Sequence, residues 1–136
     1  MNGAGTSSGR DEAIASLARR LEGRLEGDVR FDALARTLYA TDASIYEILP
    51  LGVAFPRSVA DVVTVVNECR ALGIPIVPRG AGTGLTGGAV GEGLQIDLSR
   101  SMRRIGKVDP TSRTVEVEPG VVLDELNAHL APHGLM

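Results

Sequence analysis

The chain has 136 residues, of which 43% are hydrophobic, 3% are aromatic and one is cysteine, and its formal net charge is −3. This length suits one domain or part of one, with a core made mainly of aliphatic side chains. The basic residues are scattered, which argues against a nucleic-acid surface, and no apolar run approaches the ~20 residues of a membrane span. A lone cysteine and an N-terminus without a signal-peptide pattern favour a cytoplasmic location.

The first 50 residues predict a tail and a helical lead segment. Residues 1–9 are small and polar and are predicted to be disordered. Residues 10–50 form the lead segment, in which apolar side chains recur at helical spacing at Ile14, Leu17, Ala18, Leu21 and Leu25. Leu34 and Leu38 predict a further helical turn or two. Asp42 and Ser44 are interpreted as local capping residues of a turn.

A strand–helix–strand unit follows the lead segment. Residues 52–56 read as a short strand, and Ser58 with Asp61 has the spacing of a capping box that begins a helix. The predicted inward face of this helix consists of Val59, Val62, Val63, Val66 and Leu72. Cys69 is interpreted as a small packed hydrophobe. Residues 74–77 predict a second, buried strand, so the unit favours parallel pairing with a right-handed crossover.

The last third of the chain predicts a strand, a hairpin and a closing helix. Residues 94–98 alternate as in a half-covered strand, and residues 105–108 and 115–117 form a hairpin with Val115 and Val117 inward. Residues 121–133 predict a helix whose inward residues are Val122, Leu123, Leu126 and Leu130. The fold class expected from these elements is α+β, with an α/β-like parallel unit.

Glycine occupies seven positions between residues 80 and 93, in the sequence PRGAGTGLTGGAVGEG. Closely spaced glycines let successive N–H groups converge on an anion, and Arg79 adds a positive charge. Residues 82–87 match G-x-G-x-x-G, yet the next strand begins too soon for the helix that a dinucleotide fold requires, and no Walker lysine is present. The sequence therefore predicts a loop that binds phosphate through backbone N–H groups, helped by Thr83 and Thr86. The alternative is a turn-forming loop without a ligand.

The loop and its flanks resemble the FAD-binding domain of FAD-linked oxidases of the vanillyl-alcohol oxidase type, also called PCMH-type. The matching stretches are FPRSVADVVTVVNECRALGIPIVP, PRGAGTGLTGG, IDLSR and VDPTSRTVEVEPGVVLDELNAHLAPHGL. The nearest branch is similar to D-lactate, glycolate and D-2-hydroxyglutarate dehydrogenases. The lead stretch YATDASIYEILPLGVAFPRS looks most like the large dehydrogenases fused to an iron–sulfur domain, whereas the loop looks more like the lactate and glycolate type. The subfamily therefore stays open.

The resemblance implies that residues 51–136 are the first part of a FAD-binding domain that continues beyond this chain. The cofactor-binding residues that it implies are Pro56, near the adenosine, Pro78, Arg79, Gly80, Ala81, Gly82, Thr83, Gly84, Leu85, Gly88, Pro119 and Gly120. Pro119 and Gly120 have the alternative interpretation of a plain strand-to-helix turn. No histidine lies in the loop, so the FAD is expected to be non-covalent.

The function implied by the resemblance is oxidation of a D-2-hydroxy acid to the 2-oxo acid in an intact enzyme, this chain alone being inactive. Electrons would pass to a quinone, cytochrome or iron–sulfur partner. Any iron–sulfur cluster would lie on a missing C-terminal domain or on a partner. The intact enzyme would be cytoplasmic or peripheral at the inner membrane. No catalytic or metal-binding residue is assigned, and His129 and His133 are interpreted as surface residues. The alternatives are a non-catalytic nucleotide-binding module or subunit and a sugar-nucleotide reductase of the same fold.

Overall fold

The computed structural model describes the backbone of residues 5–136 and the side chains from residue 9 onward. Its elements are α1 (Gly5–Leu21), β1 (Asp28–Arg30), α2 (Ala33–Leu38), β2 (Gly52–Phe55), α3 (Val59–Ala71), β3 (Ile76–Arg79), β4 (Leu94–Asp97) and α4 (Leu123–Leu130), which runs into a 3-10 turn at Ala131–His133. The α+β class is confirmed. Helix α1 begins inside the stretch 1–9 that was expected to be a tail, and residues 1–4 lie outside the described residues.

The four strands form one sheet in the order β1-β2-β4-β3. Strand β4 pairs in parallel with β2 on one side and with β3 on the other, while β1 adds an antiparallel edge to β2. The predicted strand–helix–strand unit is present and parallel, but β4 lies between its two strands. Strand β1 is an element of the lead segment that the sequence did not predict.

Strand β3 differs from the prediction in both its bounds and its burial. It begins two residues later than expected and lies at the edge of the sheet, with its residues alternately exposed and half-buried. The prediction of a buried strand at residues 74–77 is therefore wrong. A short β-branched run has the same appearance in a central strand and in an edge strand, so its sequence does not decide between them.

The main core lies between one face of the sheet and the helices α1 and α3. Leu17 and Leu21 of α1 and Val65 and Cys69 of α3 pack against strand residues, including Ala54, Leu94 and Ile96. Cys69 is completely buried in this core, which confirms it as a packed hydrophobe, and burial raises the pKa of its thiol to about 11. No helix in the described residues has both the length and the apolar character that crossing a bilayer requires.

The inward face of α3 is rotated relative to the prediction. The buried positions are Asp61, Val65 and Cys69, which are spaced four residues apart, whereas Val59 and Val63 are 66% and 53% exposed. The predicted valine face is wrong at these two positions. Because valine occurs all around this helix, the apolar pattern left its orientation undetermined.

The segment after β4 has the predicted order of a hairpin followed by a helix, with less regular structure. The hairpin consists of two antiparallel bridges, Ile105↔Val117 and Asp109↔Thr114. Val117 is 40% exposed, so its predicted inward orientation is wrong. Helix α4 begins at Leu123, two residues later than expected; Leu130 is buried, but Leu123 and the preceding Val122 are exposed.

Asp61 joins the lead segment to the start of α3. Its amide donates to Ser58 Oγ at 3.2 Å, as the capping pattern predicts, and its carboxylate accepts from the amides of Glu26, Gly27 and Arg57, each at 2.9 Å. The carboxylate is almost completely buried. Burial raises its pKa, but the three amides outweigh burial and hold the pKa below its ordinary value.

We expect Asp61→Asn to lower the free energy of unfolding by about 2–4 kcal/mol at pH 7, because an amide nitrogen would face backbone donors. A carboxyl group with a depressed pKa stabilises the fold at pH values above its unfolded pKa of about 3.9. This stabilisation is lost as pH falls through the pKa of the folded state. The difference from wild type should therefore shrink below about pH 4. Urea denaturation at several pH values measures it, with the exposed Asp11→Asn as the control. Equal effects of the two variants would contradict this role for Asp61.

Candidate functional site

The candidate site lies at the carboxyl edge of the parallel strands. Strands β2, β3 and β4 point the same way, and their following segments begin at Pro56, Gly80 and Leu98. Ligands of open α/β sheets bind outside this edge, where connections diverge. The glycine-rich residues 80–93, called the glycine loop below, connect the edge strand β3 to the central strand β4.

The glycine loop contains neither helix nor strand, as the sequence predicted. Gly82 and Gly87 have φ of +70° and +76°, a region that favours glycine. A Cβ at Gly82 would lie 2.6 Å from Arg79 Nη2, and one at Gly87 would lie 2.6 Å from Tyr46 Cδ2. These two glycines are thus required by the internal structure of the loop. The G-x-G-x-x-G match does not begin a helix, so it is no dinucleotide-fold signature.

The hydrogen bonds of the glycine loop divide unequally between acceptors and donors. The carbonyls of Gly82, Ala89 and Gly93 accept from Ala43 N, Arg79 Nη1 and Leu51 N. The Ala89 amide donates to Asp42 Oδ2, but no other amide of residues 80–93 donates to an atom in the described part of the chain. Backbone donors need partners, so the amides that donate to no described atom are available to water or to an anion.

Arg79 lies beneath the glycine loop. Its guanidinium carbon is 4.9 Å from the centre of the Tyr39 ring, its Nη1 donates to Ala89 O at 3.2 Å, and it packs against Gly82. The sequence predicted this charge at the entrance of the loop. In the structure the Arg79 side chain supports the loop from behind. Its charge still lies close enough to raise the potential of the loop above it.

A platform of side chains that the sequence analysis missed supports Arg79. The Tyr39 hydroxyl donates to the buried Asp97 carboxylate, and Gln95 Nε2, fully buried, donates to Tyr39 O at 2.7 Å. Asp97 also accepts from the Ser99 amide and hydroxyl, at 2.8 and 2.6 Å. The prediction of a half-covered strand at residues 94–98 is wrong, because Gln95 and Asp97 of β4 are buried as well as its apolar residues. The alternating pattern placed both polar side chains on a solvent face and so concealed the buried polar network.

A cavity of about 430 Å3 opens beside the glycine loop. It brings together Gly80, Ala81 and Thr83 of the loop with Pro119 and Gly120, which are distant in sequence. Gly120 is fixed there because its amide donates to Met102 O at 2.8 Å and a Cβ would lie 2.3 Å from Leu98 O. The remaining lining residues, which the sequence analysis did not select, are Ser99, Arg103, Val121, Val122 and Leu123.

The other predicted site residues lie away from this lining. Gly84, Leu85 and Gly88 belong to the glycine loop, and Leu85 is 77% exposed. Pro78 is exposed in β3, and Pro56 is buried beside a separate cavity of about 310 Å3 that Phe55, Arg57 and Arg100 help to line. His129 and His133 are exposed, and the described residues contain no group of three side chains suited to a metal ion.

Three glycines of the glycine loop are not required by the fold, and the cavity beside the loop has one charged residue in its described lining. A Cβ at Gly80, Gly84 or Gly88 would meet no atom within 4 Å, and none of these has a positive φ, so the fold itself does not require glycine there. Close approach of a ligand to the backbone is the other reason for glycine. Among the described lining residues Arg103 is the charged one, and its ion pair with Glu125 keeps it in place.

Comparison with known proteins identifies the family. The sequence model of the FAD binding domain matches residues 50–136, so the chain belongs to this family of FAD binding domains. The chain is 43% identical to D-2-hydroxyglutarate dehydrogenase of Pseudomonas putida over 112 residues, which is 80% of this chain and 11% of that protein. It is 36% identical to the glycolate oxidase subunit GlcD of Escherichia coli over 94 residues, 68% of this chain and 19% of the subunit.

The fold agrees with that assignment. The 4-ethylphenol oxidase of Gulosibacter chungangensis superposes with a TM-score of 0.73 at 22% identity, covering 96% of this chain and 26% of the oxidase. At that identity the likeness shows the fold alone. The chain thus spans a tenth to a quarter of the length of these proteins. The resemblance to PCMH-type FAD-binding domains and the α+β fold derived from the sequence are both confirmed.

We expect Tyr39→Phe to lower the free energy of unfolding by about 1–3 kcal/mol at pH 7, because the buried Asp97 loses a donor. Burial, and then the bond to Asp97, raises the pKa of Tyr39 to about 12, above its unfolded value of about 10. The contribution of the protonated Tyr39 hydroxyl to the free energy of unfolding is therefore present up to about pH 10 and is lost as pH rises towards 12. Denaturation at pH 7 to 11 measures this, with Tyr46→Phe as the control. A difference that persists undiminished at pH 11 would contradict the assignment.

Proposed function

We propose that this chain holds the pyrophosphate of FAD in a flavin-dependent oxidoreductase that converts a D-2-hydroxy acid to the 2-oxo acid. The observation that carries the proposal is the run of amides in the glycine loop that have no protein acceptor. The amides from residue 80 to 88 donate to no atom in the described part of the chain, while the loop is held through the carbonyls of Gly82, Ala89 and Gly93. Membership of the FAD binding domain family supplies the identity of the anion.

The proposed binding residues act mainly through the backbone. The amides of Gly80, Ala81, Gly82, Thr83 and Gly84 would hold the pyrophosphate, with Leu85 and Gly88 completing the loop. Pro119 and Gly120 would approach from across the cavity, where Arg103 adds a charge. Pro56 would lie near the adenosine, and Pro78 and Arg79 would fix the loop to β3. Bound FAD supplies the acceptor of the hydride equivalent, and the chain supplies binding and orientation.

The substrate class rests on the relatives, which act in proteins much longer than this chain. Higher identity over more residues favours the D-2-hydroxyglutarate type over the glycolate type. We place the residues that bind the hydroxy acid outside residues 5–136, together with any iron–sulfur cluster. Electrons would leave for a quinone, cytochrome or iron–sulfur partner, in the cytoplasm or at the inner membrane surface.

A glycine that the fold does not itself require gives the sharpest test. Gly80→Val should leave the free energy of unfolding within about 0.5 kcal/mol of wild type, because a Cβ at this position lies in open space and φ is not positive. It should weaken FAD binding tenfold or more, because the side chain projects where the ligand approaches. Absorbance and fluorescence titration of the purified 136-residue chain with FAD measure this, and a chain extended downstream serves as the positive reference.

The control is Gly9→Val, since Gly9 is equally open but lies in α1, away from the cavity. Wild type and Gly9→Val should bind FAD alike and release it on denaturation, as non-covalent flavin does. The 136-residue chain with FAD should not be reduced by D-2-hydroxyglutarate. Equal FAD affinity of wild type and Gly80→Val would overturn the loop assignment, and reduction by the hydroxy acid would overturn the placement of the substrate residues.

A further inference from the structure

A segment that precedes the matched family domain contacts the glycine loop. Residues 42–46, called the brace below, lie before residue 50, where the family match begins. The brace reaches the loop at three points. Ala43 N donates to Gly82 O at 2.9 Å, Asp42 Oδ2 accepts from Ala89 N at 3.3 Å, and the Tyr46 ring lies against Gly87. These contacts span most of the loop.

The brace is itself held in one conformation. Asp42 Oδ1 accepts from the Ser44 amide at 2.8 Å, and Ser44 Oγ accepts from the Tyr46 amide at 3.2 Å. The two side chains that touch the loop are therefore presented together from a closed turn. Hydrogen bonds from Ser44, and then from Ala89, hold the pKa of Asp42 below its ordinary value, so that it is an anion at neutral pH.

The charge of Asp42 argues against a direct role in holding an anion. A carboxylate near a phosphate site repels the ligand, so an electrostatic role alone would weaken binding. Its geometric role is different. Asp42 accepts from the Ala89 amide and Arg79 donates to the Ala89 carbonyl, so Ala89 is held from both sides. With Gly82 and Gly87 also held, the intervening amides have a defined position before any ligand arrives.

We infer that Asp42 and Tyr46 are positioning residues, which hold the glycine loop in the conformation that receives the FAD pyrophosphate without touching the cofactor themselves. The inference rests on the proposed function for the identity of the ligand. Neither residue lines the cavity. When the loop is already ordered, binding does not include the entropic cost of ordering it. Residues outside the site that order the loop therefore affect the affinity for the ligand.

The test compares loop order and ligand affinity in matched variants of the 136-residue chain. Asp42→Ala removes the acceptor, and Asp42→Asn removes the charge but keeps an oxygen. The control is Asp109→Ala, because Asp109 also accepts from amides two and three residues ahead, in an exposed hairpin turn. Tyr46→Ala is paired with Ile45→Ala, whose side chain is 94% exposed in the same turn. Circular dichroism confirms that each variant is folded.

Two measurements are made on each variant. Backbone 15N relaxation of residues 80–89 without ligand should show greater mobility in Asp42→Ala and Tyr46→Ala than in wild type and both controls. Titration with FAD and with inorganic pyrophosphate should show binding weakened about three- to tenfold in these two variants, with Asp42→Asn closer to wild type. The loss occurs although a negative charge has been removed, which distinguishes positioning from electrostatics.

The opposite results are equally specific. If Asp42→Ala leaves the loop as ordered as in wild type, or binds FAD as tightly or more tightly, the positioning role is wrong. If wild type binds neither FAD nor pyrophosphate, the proposed function is wrong, and the relaxation data alone then decide whether the brace orders the loop.

Discussion

The conformation of the glycine loop is restrained by the contacts that Arg79 makes beneath it. A loop rich in glycine has many accessible conformations, and most of them would scatter its N–H groups. The guanidinium reduces that freedom by taking the Ala89 carbonyl, packing on Gly82 and lying over the Tyr39 ring. Because Arg79 supplies donors only, the backbone group of the loop that it binds is a carbonyl, that of Ala89. The same residue thus restrains the loop without taking up any of its amides.

The sheet order explains why distant segments meet at one cavity. Strand β4 lies between β2 and β3 and aligns Asp97 with Arg79 in the parallel register. The turn that follows β4 therefore emerges beside the glycine loop that follows β3. Gly120 packs against that turn through Leu98 and Met102, and so the segment that precedes α4 closes the cavity. The side chain of Ser99, bonded to Asp97, marks the same junction.

The sequence predicted those features that short patterns determine. The glycine spacing, the following strand and the capping residues Ser58 and Asp61 defined a loop without a helix and a parallel unit, and both are confirmed. Features that depend on tertiary neighbours were not predictable. The burial of β3 depends on which strands lie beside it, and the inward face of α3 depends on where α1 packs. The direction of the Arg79 side chain depends on Tyr39, which lies 40 residues earlier in the sequence. Local propensity contains none of this information.

The placement of β4 also determines the order in which the sheet can assemble during synthesis. Strands β2 and β3 are synthesised before β4. They do not pair with each other, because β4 lies between them in the finished sheet. Until residue 97 has left the ribosome, each of them has an edge without its hydrogen-bonding partner, and such edges promote association between chains. The nascent chain is therefore open to such association while the glycine loop is leaving the ribosome, and pairing of β4 then covers one edge of each flanking strand at once.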